Sequence, residues 1–104
     1  MLIQRNVLAR FRLGVSQINS HRYKFYQNRN LLKCPVCKAT SENEFHVIFE
    51  CHAYNDIRNK LPINIISTKT VQSMITLLKA NEYRICLARY LLDMFSRRLD
   101  YVNS

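Results

Sequence analysis

Apolar and polar positions recur along most of this chain with a helical rhythm rather than an extended one. Ile3, Val7, Leu8 and Phe11 fall three and four residues apart, with Arg5 and Arg12 on another face, and predict a helix over residues 2–13. Gly14, the sole glycine, stands where a helix C-terminus favours one. Val15 to Lys33 has no clean period and predicts loop or short extended pieces, leading into Cys34-Pro35-Val36-Cys37 as a tight turn or hairpin tip. Ser41 is followed three residues later by Glu44, a capping-box spacing that predicts a short helix carrying Phe45 to Phe49. A further helical stretch covers Ala53 to Leu61 and stops before Pro62, and Ile63 to Thr70 reads as a connection. Val71, Met74, Leu77 and Leu78 form the apolar side of the next helix. The most regular pattern comes last: Ile85, Ala88, Leu91, Leu92, Phe95, Leu99 and Val102 make one stripe of a long amphipathic helix. Arg84, Arg97 and Arg98 lie off that stripe, and Arg97 and Arg98 are expected in solvent.

With no internal repeat, the 104 residues read as one small domain, mainly α, of about four to five helices. Residues 1–33 would be a basic helix and loop, 34–61 a cysteine-rich turn and helix, and 62–104 a helical pair. Hydrophobic residues at 48% and charged residues at 22% exclude disorder, and one Gly with two Pro excludes a collagen or linker composition. A core this small gains from a metal staple. No stretch is long and apolar enough for a membrane span, and none reads as a secretory signal. The acid-free N-terminus also fits a mitochondrial presequence, but its residues serve as a first helix and the acid-free stretch outruns a presequence.

Charge changes the picture. The net charge is +9, and it is unevenly spread. Residues 1–41 hold Arg5, Arg10, Arg12, Arg22, Lys24, Arg29, Lys33 and Lys38 and no acid, whereas residues 42–104 hold equally many cations and all seven acids. A basic half joined to a nearly neutral half points to a polyanion, nucleic acid before membrane; a merely solvated basic surface is the plainer alternative. Within it, His21-Arg22-Tyr23-Lys24-Phe25-Tyr26 alternates cations with rings. Cations neutralise phosphates and rings stack on unpaired bases, so His21, Arg22, Tyr23 and Lys24 are candidate contacts, extended by Arg10 and Arg12. The competing reading packs the rings against the interior.

Three of the four cysteines lie close together with a histidine among them, as Cys34-x2-Cys37-x8-His46-x4-Cys51. Two cysteines two residues apart chelate one ion from a tight turn, and a His and a Cys arriving from a helix complete a tetrahedron. Thiolate and imidazole suit Zn²⁺, and four protein ligands leave no open position, so the expected site holds one structural zinc. Lys33 and Lys38 flank the first pair and are expected to favour its thiolates. A reduced set of small buried residues, a redox CxxC and a disulfide framework are the alternatives; no βαβ setting supports the redox reading and no secretory signal the disulfides. His52 is the rival to His46, disfavoured because it adjoins Cys51. Cys86 reads as a boundary residue.

Ala9-Arg10-Phe11-Arg12-Leu13-Gly14-Val15, His21-Arg22-Tyr23 and the knuckle with Glu44-Phe45-His46 and Cys51 together resemble a known segment. It is the C-terminal region of non-LTR retrotransposon reverse transcriptases, which follows the polymerase domain and carries a zinc-binding knuckle. The later run, Met74 to Lys79, Asn81-Glu82 and a helix ending in Arg97-Arg98, is similar too, so the resemblance covers nearly the whole chain. It implies metal binding by Cys34, Cys37, His46 and Cys51, a grip on RNA or DNA, and the polymerase domain of a parent protein as a partner. Neither the paired aspartates of a polymerase nor an endonuclease constellation is present, and Asp56, Asp93 and Asp100 read as single solvated acids. The expected function is therefore non-catalytic: a zinc knuckle that binds RNA or DNA in a reducing cytoplasm or nucleus. The alternative is an interaction piece docking by its last helix.

Overall fold

The computed structural model describes residues 2–26, 28–39 and 41–103; the side chains of residues 2–5 and of Arg29 lie outside the description, so the expected roles of Ile3 and Arg5 do too. The first helix, α1, spans Leu2–Arg12. Its end is set by Gly14, whose φ of +72° is open to glycine at little cost. Val15 N–H donates to the Arg10 carbonyl at 2.9 Å and Gly14 N–H to that of Phe11 at 3.2 Å, the double closure of a Schellman motif.

The stretch expected to be loop contains a short helix, α2 (Asn19–Arg22), and a 3₁₀ turn at Arg29–Leu32. Around the first cysteine pair the chain folds back through two bonds, Cys34 N–H to Ala39 O and Lys38 N–H to Cys34 O, both 3.0 Å. Lys38 takes the left-handed φ of +69° that this reversal needs. No strand forms among the described residues, so the expected hairpin is a closed turn without a ladder.

The capping box expected at Ser41 is displaced. Asn43 Oδ1 accepts from His46 N–H at 2.8 Å, and Glu44 turns away toward His21. Beyond this cap the chain forms not an α-helix but a turn of π-helix, His46–Glu50, closed by Cys51 N–H on His46 O at 2.9 Å. Residues 53–61, expected as one helix, form two separate 3₁₀ turns, His52–Tyr54 and Arg58–Lys60. The supposed connection contains α3 (Ile63–Ile66). Helix α4 (Val71–Lys79) starts on a reciprocal cap: Ser73 N–H donates to Thr70 Oγ1, and Thr70 N–H to Ser73 Oγ, both at 3.0 Å.

Helix α5 (Arg84–Val102) is the axis on which α1 and α4 pack. Its buried face is Leu87, Ala88, Tyr90, Leu91, Met94 and Arg98. That face is rotated from the expected stripe: Ala88 and Leu91 are shared, while Ile85, Leu99 and Val102 are exposed. The rotation reflects what the helix must reach. Tyr90 and Arg98 are long enough to bury their shafts and carry polar tips to partners across the core. Arg98, expected in solvent, puts its guanidinium on Glu42, itself fully buried: Nε to Oε2 at 2.7 Å and Nη2 to Oε1 at 2.8 Å. Glu42 also accepts from Asn19 N–H at 2.7 Å. One carboxylate thus ties α5, α2 and the cysteine-bearing segment together. Arg97 pairs with Asp56, and Lys60 with Asp93, so these two acids are solvent-accessible as expected but not single.

Candidate metal centre and basic surface

The closed turn at Cys34–Ala39 and the π-turn at His46–Glu50 face each other, and each supplies two donors. One ligand atom from each of Cys34, Cys37, His46 and Cys51 lies within 4.8 Å of all the others. A tetrahedral site with bonds of about 2.0–2.3 Å has ligand–ligand edges of about 3.3–3.8 Å, so small side-chain adjustments close it around one metal ion. Cys37 Sγ and His46 Nε2 are already 3.2 Å apart. The four cysteines are unlinked, and Cys34 and Cys51 have no solvent exposure.

The π-turn explains how His46 and Cys51 reach one ion. An α-helix repeats every 3.6 residues, so residues five apart diverge around the axis. Bonding from residue i to i+5 widens the coil and brings Cys51 back toward the side of His46. Such a turn is uncommon and needs outside support, which two residues give. Arg58, buried, donates from Nε to Ile48 O at 2.6 Å and from Nη2 to Cys51 O at 2.7 Å. Tyr90 Oη donates to Val47 O. Burial pushes the Tyr90 hydroxyl up to about 12, which keeps its proton on.

His46 is oriented from behind as well. Its Nδ1 lies 3.5 Å from Glu50 Oε1, which leaves Nε2 toward the cysteines, the outer carboxylate pattern common at metal-bound imidazoles. The electrostatics of the cluster call for a cation. Cys51 and then His46, by hydrogen bonding, hold the Cys34 thiol far below its usual range against the opposing effect of burial. The same Cys34–Cys51 pairing, with burial, drives Cys51 upward, and the Cys34 thiolate raises His46. These buried donors perturb one another strongly, and a divalent ion bound among them would offset that crowding. Lys33 and Lys38, which flank the first cysteine pair, are exposed, and Lys38 Nζ donates to Pro35 O at 3.0 Å. His52 is exposed and outside the cluster; Cys86 is outside it too, half-buried, with its Sγ donating to Tyr83 O at 3.2 Å.

The basic candidates separate. His21 is interior: its Nδ1 accepts Ser16 N–H at 3.2 Å and meets Ser16 Oγ at 2.7 Å, while Nε2 lies 3.3 Å from Glu44. The ring braces the loop after α1 against the segment leading to the metal ligands, and it is not on the surface. Arg10, Arg12, Arg22 and Lys24 are exposed, and Tyr23 is half-buried. Arg22 lies over the Tyr23 ring at 5.2 Å and Lys24 over Phe25 at 5.4 Å. Phe25 is 88% exposed and Tyr26 is exposed as well, so these two rings do not pack inside.

The residues that the sequence pattern did not single out are Glu42, Glu50, Arg58 and Tyr90. Glu50 alone left a legible signal, four residues after His46 on one helical face. No helix among the described residues is long and apolar enough to cross a membrane. No family model, curated protein or solved structure matches this chain.

Proposed function

We propose that this chain is a non-catalytic, zinc-stapled helical module that binds RNA or DNA, of the kind found after the polymerase domain in non-LTR retrotransposon reverse transcriptases. Zinc is the ion that a closed set of three thiolates and one imidazole selects, and four protein ligands leave no position for an activated water. Its work is to hold the turn and the π-turn together in a reducing cytoplasm or nucleus.

The observation that carries the nucleic-acid reading is the fate of the cations. Every ion pair to Lys or Arg among the described residues uses a cation of the second half: Lys60, Arg97 or Arg98. Arg10, Arg12, Arg22 and Lys24 pair with no acid among the described residues; Arg22 stands over half-buried Tyr23, and Lys24, which donates to Gly14 O at 3.1 Å, stands over exposed Phe25. Cations without a carboxylate partner, set beside aromatic rings, are the chemistry of backbone neutralisation and base stacking.

The test is a salt titration of oligonucleotide binding. For a single strand the slope of log affinity against log salt changes by about 0.7 per phosphate contact, so Arg22→Ala with Lys24→Ala should flatten it by about 1.4 and weaken binding. An unchanged slope removes these residues from the contact. A second reading rests on Leu99 and Val102, exposed near the end of α5, as a face for the parent polymerase domain. It expects a mass that rises with concentration in sedimentation.

A further inference from the structure

Between α1 and the C-terminal part of α5 lies a groove of about 410 Å³. That is within the range of about 300–1,000 Å³ typical of small-ligand sites. Val7, Phe95 and Leu99 contribute apolar wall, while Arg10, Arg22 and Arg98 bring three guanidinium groups; no acidic residue lines it. Arg98 is only 6% exposed, yet just part of its guanidinium is occupied. Nε and Nη2 are held by Glu42 and Asn19, and Nη1 donates to no group among the described residues. A buried guanidinium held by a carboxylate in the wall of the groove is a preorganised positive contact. Its position costs nothing further when a ligand arrives.

The lining calls for an occupant with a flat apolar body and a negative edge. We infer that the groove seats one unstacked nucleotide of a single-stranded nucleic acid, its base against Val7, Phe95 and Leu99 and its phosphates on Arg10 and Arg22. Arg98, held by Glu42, adds its positive charge to the wall behind them. This rests on the nucleic-acid reading above and narrows it: a duplex keeps its bases stacked and cannot offer one to the groove. Arg22 belongs both to the groove and to the strip that carries Lys24 and Phe25, so a strand leaving the groove passes directly onto the exposed rings.

The experiment compares Leu99→Glu with Gln72→Glu on the full metal-loaded chain. Both positions are exposed, both variants add one negative charge, and only Leu99 lines the groove. The probe is a labelled oligothymidylate of about ten nucleotides, read by anisotropy beside a duplex of equal length. The expected result is a loss of about tenfold in single-strand affinity for Leu99→Glu, about twofold or less for Gln72→Glu, and weaker binding of the duplex by the parent chain. Circular dichroism and metal content should be unchanged in both variants. Equal losses in the two variants, or equal losses for single strand and duplex, overturn the groove while leaving nucleic-acid binding in place. A parent chain that self-associates and becomes monomeric on Leu99→Glu makes the groove a contact between copies and overturns it too. No salt-sensitive binding by the parent chain overturns the nucleic-acid reading together with the groove.

Discussion

Arg22 and Arg98 are the same residue type with opposite fates, and the two halves of the molecule differ in the same way. In the second half, four of the eight cations are consumed by structure: Arg98 grips buried Glu42, Arg97 reaches Asp56, Lys60 reaches Asp93, and Arg58 closes the π-turn on backbone carbonyls, while Lys69, Lys79, Arg84 and Arg89 are exposed. In the first half, Arg10, Arg12, Arg22 and Lys24 stand in solvent with no acid beside them. A charge is held inside a protein only when a partner and hydrogen bonds offset its lost hydration. The first 41 residues contain no acid, and the two carboxylates seen bonded to that region among the described residues, Glu42 and Glu44, reach Asn19 and His21 and not these four cations. The difference separates charge that builds the fold from charge left over for a partner.

Five variants test that division, judged first by stability. The largest effect is expected at the metal ligands. Structural zinc contributes an apparent ~10–16 kcal/mol in small zinc domains, as much as the whole ~5–15 kcal/mol stability of a typical domain. Cys37→Ser, or a strong chelator, should therefore release the ion and abolish most helical signal in circular dichroism. Absence of zinc from the purified chain with an unchanged spectrum would mean that no metal holds this fold.

The next effect belongs to the buried pair. Arg98→Ala leaves Glu42 buried without its counter-charge and should cost about 3–5 kcal/mol in urea unfolding. Arg98→Met with Glu42→Leu should recover much of that loss, because apolar replacement of both partners removes the unpaired charge. A double variant as unstable as the single one would mean that the hydrogen bonds to Asn19, and not the uncompensated charge, set the cost.

A smaller effect is expected at Asp56, which is on the surface. Arg97 beside it holds its carboxyl below the ordinary carboxylate value. A depressed carboxylate stabilises the fold above its unfolded pKa and loses that contribution as pH falls through the folded one. Asp56→Asn should thus be slightly less stable than the parent at neutral pH, with the two melting temperatures converging in acid. A gap that persists at low pH would assign the effect to packing. The smallest change in stability is expected for Arg22→Ala with Lys24→Ala, within about 0.5 kcal/mol, since neither cation holds the fold through an acid. A large loss of stability there would move these residues to the structural side of the comparison.

The legible parts of this molecule were those with a local cause. Helix α1 and its stop at Gly14 came from spacing and from one residue that tolerates positive φ. The helical rhythm of α4 and α5 was readable, and so was the set Cys34, Cys37, His46 and Cys51, because donor chemistry and short spacing are written along the chain. The rotation of α5 was not readable. Periodicity reports where apolar side chains recur, and it assigned Arg98 to solvent because a lone arginine carries no local sign of a partner that lies 56 positions away. Nor was the π-turn: its five-residue bonding is stable here because Arg58 and Tyr90 arrive from elsewhere to satisfy Val47, Ile48 and Cys51 carbonyls. The same holds for His21, which the sequence placed among surface cations and the fold placed between Ser16 and Glu44. By itself the sequence determined the mainly helical class, the four metal donors and the uneven distribution of charge. Tertiary structure decided which cations are spent and which are free, because pairing depends on distances that only the folded chain defines.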